Sequence, residues 1–317
     1  MALRIQRHHR LARSAVRLSL GLSLVVCVGT GAFAATPGTT APFADVHQHY
    51  KWNQTDVTSI ADAVAALDSN HIGLAVVTGT PPELALELAD AAPDRVVPIY
   101  GIYRTAGEWS GWPYDKRLLE RTERALKSGR YRGIGEVHMI GGFIPRPDQA
   151  TIAGLFGLAE PFDVPVLLHT EFSRANYLVE ICQTYPGTRF LWAHAGTMVP
   201  PSEVDRALEA CPNVWVEQAA LDPWRYTARP VADDRNRLLP EWRELVLKWQ
   251  DRFMVGSDPV WPVEQLDAWD TPDTGWEEIG RFVDFHRQWL DDLPEEAAEK
   301  IRWTNAHAFF GQDFPSK

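Results

Sequence analysis

Short apolar runs alternate with longer amphipathic stretches along this chain, and the alternation repeats eight times. The apolar runs fall at 43–49, 72–78, 96–103, 132–138, 164–169, 188–194, 213–218 and 252–257. They are near-continuous in Val, Ile, Leu and Phe, as strands covered on both faces should be. The stretches between them, at 56–69, 81–92, 115–128, 148–160, 173–185, 201–210, 238–251 and 294–310, carry apolar residues at helical spacing, and an extra helix is expected around 276–292. Strict strand–helix alternation predicts an α/β fold, a closed (β/α)₈ TIM barrel in one domain over 43–317. Punctuation supports the helices. Thr55 or Asp56 can cap the first, Ser202 with Glu203 opens the sixth, and Pro294-Glu295-Glu296 opens the last. Gly129, Gly187 and Gly311 fall just past helices.

Five of the apolar runs end in residues that bind metals: Asp45-Val46-His47-Gln48-His49, Gly135-Glu136-Val137-His138, Leu168-His169, Ala193-His194 and Ser257-Asp258. In a parallel barrel all strand ends of one kind share one face, so this placement gathers imidazoles and carboxylates at a common mouth. Asp45, His47 and His49 have period two and are expected on the interior face, with Asp45 one step deeper, where it can orient an imidazole. An unpaired carboxylate at such a mouth is costly, and a cation is a ready partner for Asp258. The ligand set is nitrogen and oxygen without sulfur. It suits one or two divalent ions, zinc first, with Mn, Co, Ni or Fe also compatible.

Two long connections, 104–115 after the third strand and 219–240 after the seventh, lie on the same face and are rich in Trp, Tyr and Arg. They make Arg104, Trp109, Trp224 and Arg225 expected substrate contacts, together with His138 and Glu217 at the strand ends; Trp112, Tyr114, Tyr226 and Arg229 share those loops. Thr78 and Thr170 close strands and are expected to line the pocket. His71, His286 and His307 read as surface or packing residues.

The first 34 residues stand apart. Five arginines and no acid precede the apolar run 18–28, and Ala32-Phe33-Ala34 offers a small-x-small cleavage site. This predicts a signal peptide cut after Ala34, a short linker at 35–42, and a secreted or periplasmic protein with no stable membrane insertion after cleavage. An uncleaved anchor is the alternative. A lipid on Cys27 is a weaker one, because Val26 is bulky for such a site. Cleavage takes the net charge from −11 to −16. That charge disfavours nucleic acid and anionic membranes, leaving a small-molecule substrate and, as a partner, a further copy of the chain. Cys182 and Cys211 are the cysteines left after cleavage. They read first as two buried thiols, although an oxidising compartment could join them.

Taken together, Asp45-x-His47-x-His49, His169, His194 and Asp258 make the chain resemble the amidohydrolase superfamily of metal-dependent barrels, in particular the group called amidohydrolase family 2. Asn305-Ala306 before Phe310-Gly311 is a weaker match. The resemblance implies that His47 and His49 hold one metal, with Asp258 as its ligand or as the general base. It implies that His169 and His194 hold a second metal, or that one of them polarises the substrate carbonyl. Many members carry a carboxylated lysine on strand four. This chain has Glu136 there, which resembles the TatD-type branch and implies a carboxylate bridging two metals. The alternative is that Glu136 pairs with Arg132 or Arg104 and one metal binds. The implied activity is cleavage of a small ester, lactone or amide by metal-activated water. Decarboxylation of a carboxylated ring, TatD-like phosphodiester cleavage and ligand binding without turnover are the alternatives.

Overall fold

The computed structural model describes residues 41–109, 111–139, 146–170, 173–225, 230–262 and 271–311. The leader, most of the linker, Tyr226 and Arg229 lie outside the described residues. Eight parallel strands alternate with helices in the expected order: β1 (Phe43–Lys51), α1 (Ile60–Ser69), β2 (Ile72–Thr80), α2 (Glu83–Ala91), β3 (Val96–Ile99), α3 (Leu118–Lys127), β4 (Ile134–His138), α4 (Ala150–Ala159), β5 (Val166–His169), α5 (Ala175–Thr184), β6 (Phe190–Trp192), α6 (Pro201–Ala210), β7 (Val214–Glu217), α7 (Pro240–Lys248) and β8 (Phe253–Met254). The extra helix is α8 (Ile279–Leu290). The expected single terminal helix is three pieces: α9 (Glu295–Glu299), a π-helical turn (Lys300–Thr304) and α10 (Asn305–Phe310).

Strands β1–β3 and β4–β8 form two continuous ladders. Two seams join them. Tyr100 pairs with Ile134 beyond the end of β3, with Gly135 donating to the Tyr100 carbonyl at 2.9 Å. Asp45 pairs with Val255 beyond β8, with Val46 donating to the Val255 carbonyl at 3.0 Å. The ring is thus a closed (β/α)₈ barrel with no free edge.

Side chains divide between two apolar clusters. Val46, Leu74, Val76, Ile99, Leu167, Leu191 and Met254 fill the barrel interior, and Phe309 and Phe310 of α10 plug its base. The opposite strand faces, including Val77, Val166, Phe190, Val216 and Phe253, pack against the helices. Asn305, part of the weak Asn-Ala match, donates to the carbonyls of Gln250 and Phe253 at 2.7 and 2.8 Å and so pins α10 to β8.

Three local expectations are corrected. Helix α1 starts later than its apolar spacing suggested, because Ser59, and not Thr55 or Asp56, is its cap: Ser59 Oγ accepts from Asp62 N–H while Asp62 reaches back to Ser59 N–H. Pro200 precedes α6 and Pro201 opens it, in place of Ser202. Cys182 and Cys211 are not free thiols but a disulfide between the C-terminal ends of α5 and α6.

Candidate metal centre

The strand ends converge. β1 supplies His47 and His49, β4 Glu136 and His138, and β5 His169. The turn after β6 supplies His194, β7 Glu217 and the segment after β8 Asp258. Register shifts interrupt β1 between Asp45 and Gln48 and β4 between Ile134 and Val137. Such bulges re-aim side chains beside functional sites. In β1 the shift takes Asp45 out of phase with His47 and His49. Asp45 accepts from Ser257 N–H at 2.8 Å, His47 N–H at 3.3 Å and Gln48 Nε2 at 2.7 Å. It therefore fastens β1 to β8 and orients no imidazole. Burial pushes its carboxyl up to about 6.

Glu217 does the orienting. It is fully buried beneath the cluster and does not reach the mouth as a substrate contact. Its Oε1 lies 2.9 Å from His47 Nδ1 and accepts from His194 N–H at 2.7 Å, and its Oε2 accepts from Ala219 N–H at 2.5 Å. His194 Nδ1 faces the Ala219 carbonyl at 3.0 Å. His194, Ala195, Gly196 and Thr197 all have positive φ, as do Ala220 and Asp258. Non-glycine residues in this region cost roughly 1 kcal/mol or more each, and here they cluster at the ends of β6, β7 and β8. A Cβ on Gly256 would meet His47 Cβ at 2.8 Å, so β8 can lie against this ligand only with glycine there.

Four ligand atoms meet at the centre. His47 Nε2 and His49 Nε2 are 3.2 Å apart. Glu136 Oε2 is 3.5 Å from the first and 3.2 Å from the second; Asp258 Oδ1 is 4.0 and 3.5 Å from them. Ligands about 2.0–2.1 Å from a tetrahedral ion stand about 3.4 Å apart, so these spacings fit one ion. Asp258 Oδ1 is buried without a hydrogen-bond partner among the described residues, which a bound cation would satisfy. On its other side Glu136 Oε1 is 2.7 Å from His169 Nδ1 and 3.4 Å from His194 Nε2. Glu136, His138 and His169 form a second group able to hold an ion. Glu136 is ringed by imidazoles; Arg104 lies elsewhere.

Electrostatics point the same way. Burial opposes the charge on His47, but Glu136, Glu217 and Asp258 outweigh it and raise its pKa well above the usual value. Burial alone would push Asp258 up, yet His47, His49 and His194 hold it at about 2. Burial likewise opposes ionisation of Glu136, and the histidines around it, His138 and His47 foremost, keep it well below the usual carboxylate range. The pocket is built for positive charge.

The expected substrate contacts separate. His138 stays at the mouth, its ring stacked on His169 at 4.6 Å, with Trp109 beside it at 6.5 Å. Trp109 is exposed on the rim, and Trp112 Nε1 donates to the His138 carbonyl at 3.1 Å. Arg104 points outward, with Nη1 3.4 Å from Glu83. Arg225 is buried. It pairs with Asp222 at 2.6 Å, donates to the carbonyls of Ser257 and Asp258, and lies over the Phe282 ring at 3.7 Å. It clamps the segment carrying Asp258. Trp224 packs against Phe285 and beneath Arg281. Thr170 accepts from Trp192 Nε1. Tyr103 was not anticipated. The sequence extended β3 to 103, but the strand ends at Ile99, and the freed chain brings the Tyr103 phenol within 2.9 Å of His138 Nδ1. Burial keeps that phenol neutral, and burial, followed by the neighbouring imidazoles, lowers His138 to about 3 against the pull of Glu136.

Structures of similar fold include a probable 2-pyrone-4,6-dicarboxylic acid hydrolase from Acinetobacter baumannii with citric acid bound (14% identity, TM-score 0.52, covering 86% of this chain and 100% of that one). Another is an amidohydrolase from Burkholderia multivorans with bound zinc (16%, 0.53, 86% and 99%). A third is a dihydroorotase from Campylobacter jejuni (14%, 0.53, 87% and 85%). At these identities the likeness is one of fold. Among curated proteins none matches this chain. The family model described as amidohydrolase matches residues 24–312, and with that match over nearly the whole chain the protein belongs to the amidohydrolase family of metal-dependent hydrolases.

Proposed function

We propose that this is an exported hydrolase of a small ester, lactone or amide, acting with one or two divalent ions, zinc foremost. The reading rests on the convergence of His47, His49, Glu136 and Asp258, whose ligand atoms stand 3.2–4.0 Å apart. These residues would hold one ion. Glu136, through its other oxygen, would serve a second beside His169 and His194. When bound, such an ion supplies Lewis acidity and lowers the pKa of water from about 16 to roughly 7.

The chain's own groups fit the remaining work. Asp258 is ionised at neutral pH, and its backbone is fixed by donation to the His47 carbonyl at 2.7 Å and by the Arg225 clamp. That fixity suits a proton acceptor. His194 is held by Ala219 and Glu217 and turns Nε2 to the centre, as a ligand or as the group that polarises an acyl oxygen. Arg104 and Arg225, the arginines among the expected contacts that the structure describes, are engaged elsewhere. This favours an uncharged acyl group over a carboxylated ring or a phosphodiester, as does the −16 charge. The basic–apolar–small leader and the disulfide support export.

The test is metal analysis of the purified protein followed by a screen of chromogenic esters, lactones and amides. One or two equivalents of metal are expected, with turnover lost to a chelator and restored by the ion. Metal-free protein without turnover would instead indicate a ligand-binding barrel.

A further inference from the structure

Hydrogen-bond accounting distinguishes His138 from its neighbours. A carboxylate and a carbonyl can only accept. The ring nitrogens facing them, His47 Nδ1 at Glu217 and His194 Nδ1 at Ala219, therefore carry hydrogen. Each ring thereby turns Nε2 to the cluster, the nitrogen left to serve as a metal ligand. His138 meets a phenol instead. Tyr103 Oη accepts from His138 N–H at 3.0 Å and lies 2.9 Å from His138 Nδ1. Among the described residues no other acceptor lies within reach of the phenol hydrogen. A buried hydroxyl left unpaired costs about 1–3 kcal/mol, so Tyr103 donates to Nδ1. The ring hydrogen of His138 must then sit on Nε2, on the side of Glu136 Oε2, 3.6 Å away, an oxygen that can only accept. A ring nitrogen bearing hydrogen has no lone pair for a cation.

His138 is also the cluster histidine most open to the mouth. Its side chain is 23% exposed, against 15% for His49, 10% for His169, 7% for His194 and 0% for His47. Resting on the hydrolase reading above, we propose that His138 is a catalytic hydrogen-bond donor, offering Nε2–H to the acyl oxygen of the substrate and not ligating metal. Tyr103 is the positioning residue that keeps the hydrogen on Nε2.

The test is long-range proton–nitrogen NMR on protein labelled with ¹⁵N-histidine, metal-free and zinc-loaded. His138 should show a bare Nδ1 and a protonated Nε2 in both states, and Tyr103→Phe should mix the two tautomers. A bare Nε2, or a zinc-ligand shift at His138, overturns the proposal. Independently, His138→Gln should keep the wild-type metal stoichiometry while kcat falls roughly 100-fold or more, as for loss of an oxyanion donor. Loss of a metal equivalent in that variant overturns it as well. Absence of turnover by the wild-type protein on every substrate would overturn the hydrolase reading instead, and the tautomer remains readable without substrate.

Discussion

Glu217 receives hydrogen from three strand ends at once, so the cluster depends on one side chain that never touches solvent. Burial disfavours its charge, but His47 and His194 lower its pKa all the same. Groups that orient a ligand typically account for 10–100-fold in metal affinity. Glu217→Gln keeps the size but cannot accept at both oxygens. Competition against a chromogenic chelator should show affinity lowered by about that factor; unchanged affinity would remove Glu217 from this role. Asp258→Asn should behave differently, with most metal kept and kcat lowered about 10²–10⁴-fold. A variant near the wild-type rate would end the assignment of Asp258 as base. The sequence showed that β7 ends in a glutamate as β6 runs into a histidine and β8 into an aspartate, but not its depth. Depth depends on how far each strand slides against the next, and no single strand encodes that.

At the scale of elements, apolar runs and amphipathic spacing made the eight strands and helices α1 to α8 legible, because burial on both faces leaves a continuous apolar signature; the break of the terminal helix into three pieces was not. Their limits were less legible. β3 stops four residues early, and α1 starts only after its cap Ser59, because a cap or a seam hydrogen bond ends an element without changing its hydrophobicity. The capping box at Ser59 is expected to contribute about 1 kcal/mol, read as lower denaturation stability in Ser59→Ala. The bulge in β1 was invisible too, since Asp45 keeps period two with the ligands in sequence and loses it in register. Helix α8 carries a buried histidine outside the cluster. His286 accepts from Trp289 Nε1 at 3.1 Å and is packed by Phe43 and Phe285. Burial depresses its pKa from 6.5 to about 4. The unfolded chain therefore takes up this proton below about 6.5 while the folded chain resists until about 4. The stability it contributes is present above 6.5 and is lost as pH falls through that window, about 3 kcal/mol in all. Urea titrations of wild type and His286→Gln at several pH values should show their difference moving by that amount in the variant's favour between pH 6.5 and 4. A pH-independent difference would mean that His286 titrates in the fold as it does in the unfolded chain.

For the whole molecule, the barrel sets its two ends different tasks. Metal-binding residues occupy the carboxyl ends of the strands. The disulfide from Cys182 to Cys211 lies at the other end, where α5 and α6 return to β6 and β7. Asn213 Nδ2 there donates to the carbonyls of Cys182, Tyr185 and Thr188, and Arg252 donates to that of Cys211. Hydrogen bonds already hold the folded geometry, so the bridge acts mainly on the unfolded chain. Closing a loop of 29 residues is worth about 3–4 kcal/mol by chain entropy. In a domain of this size that corresponds to roughly 5–7 °C in Tm. Reduction, or the double replacement Cys182→Ser with Cys211→Ser, should lower Tm by that amount and leave metal content and rate at 25 °C unchanged, because no ligand-bearing strand end is disturbed. The same experiment bears on export. Protein recovered from outside the cytoplasm should have no titratable thiol at these positions and should lose Tm on reduction. Protein that carries both thiols and is indifferent to reductant would separate the leader's promise of an oxidising compartment from the chain that follows it.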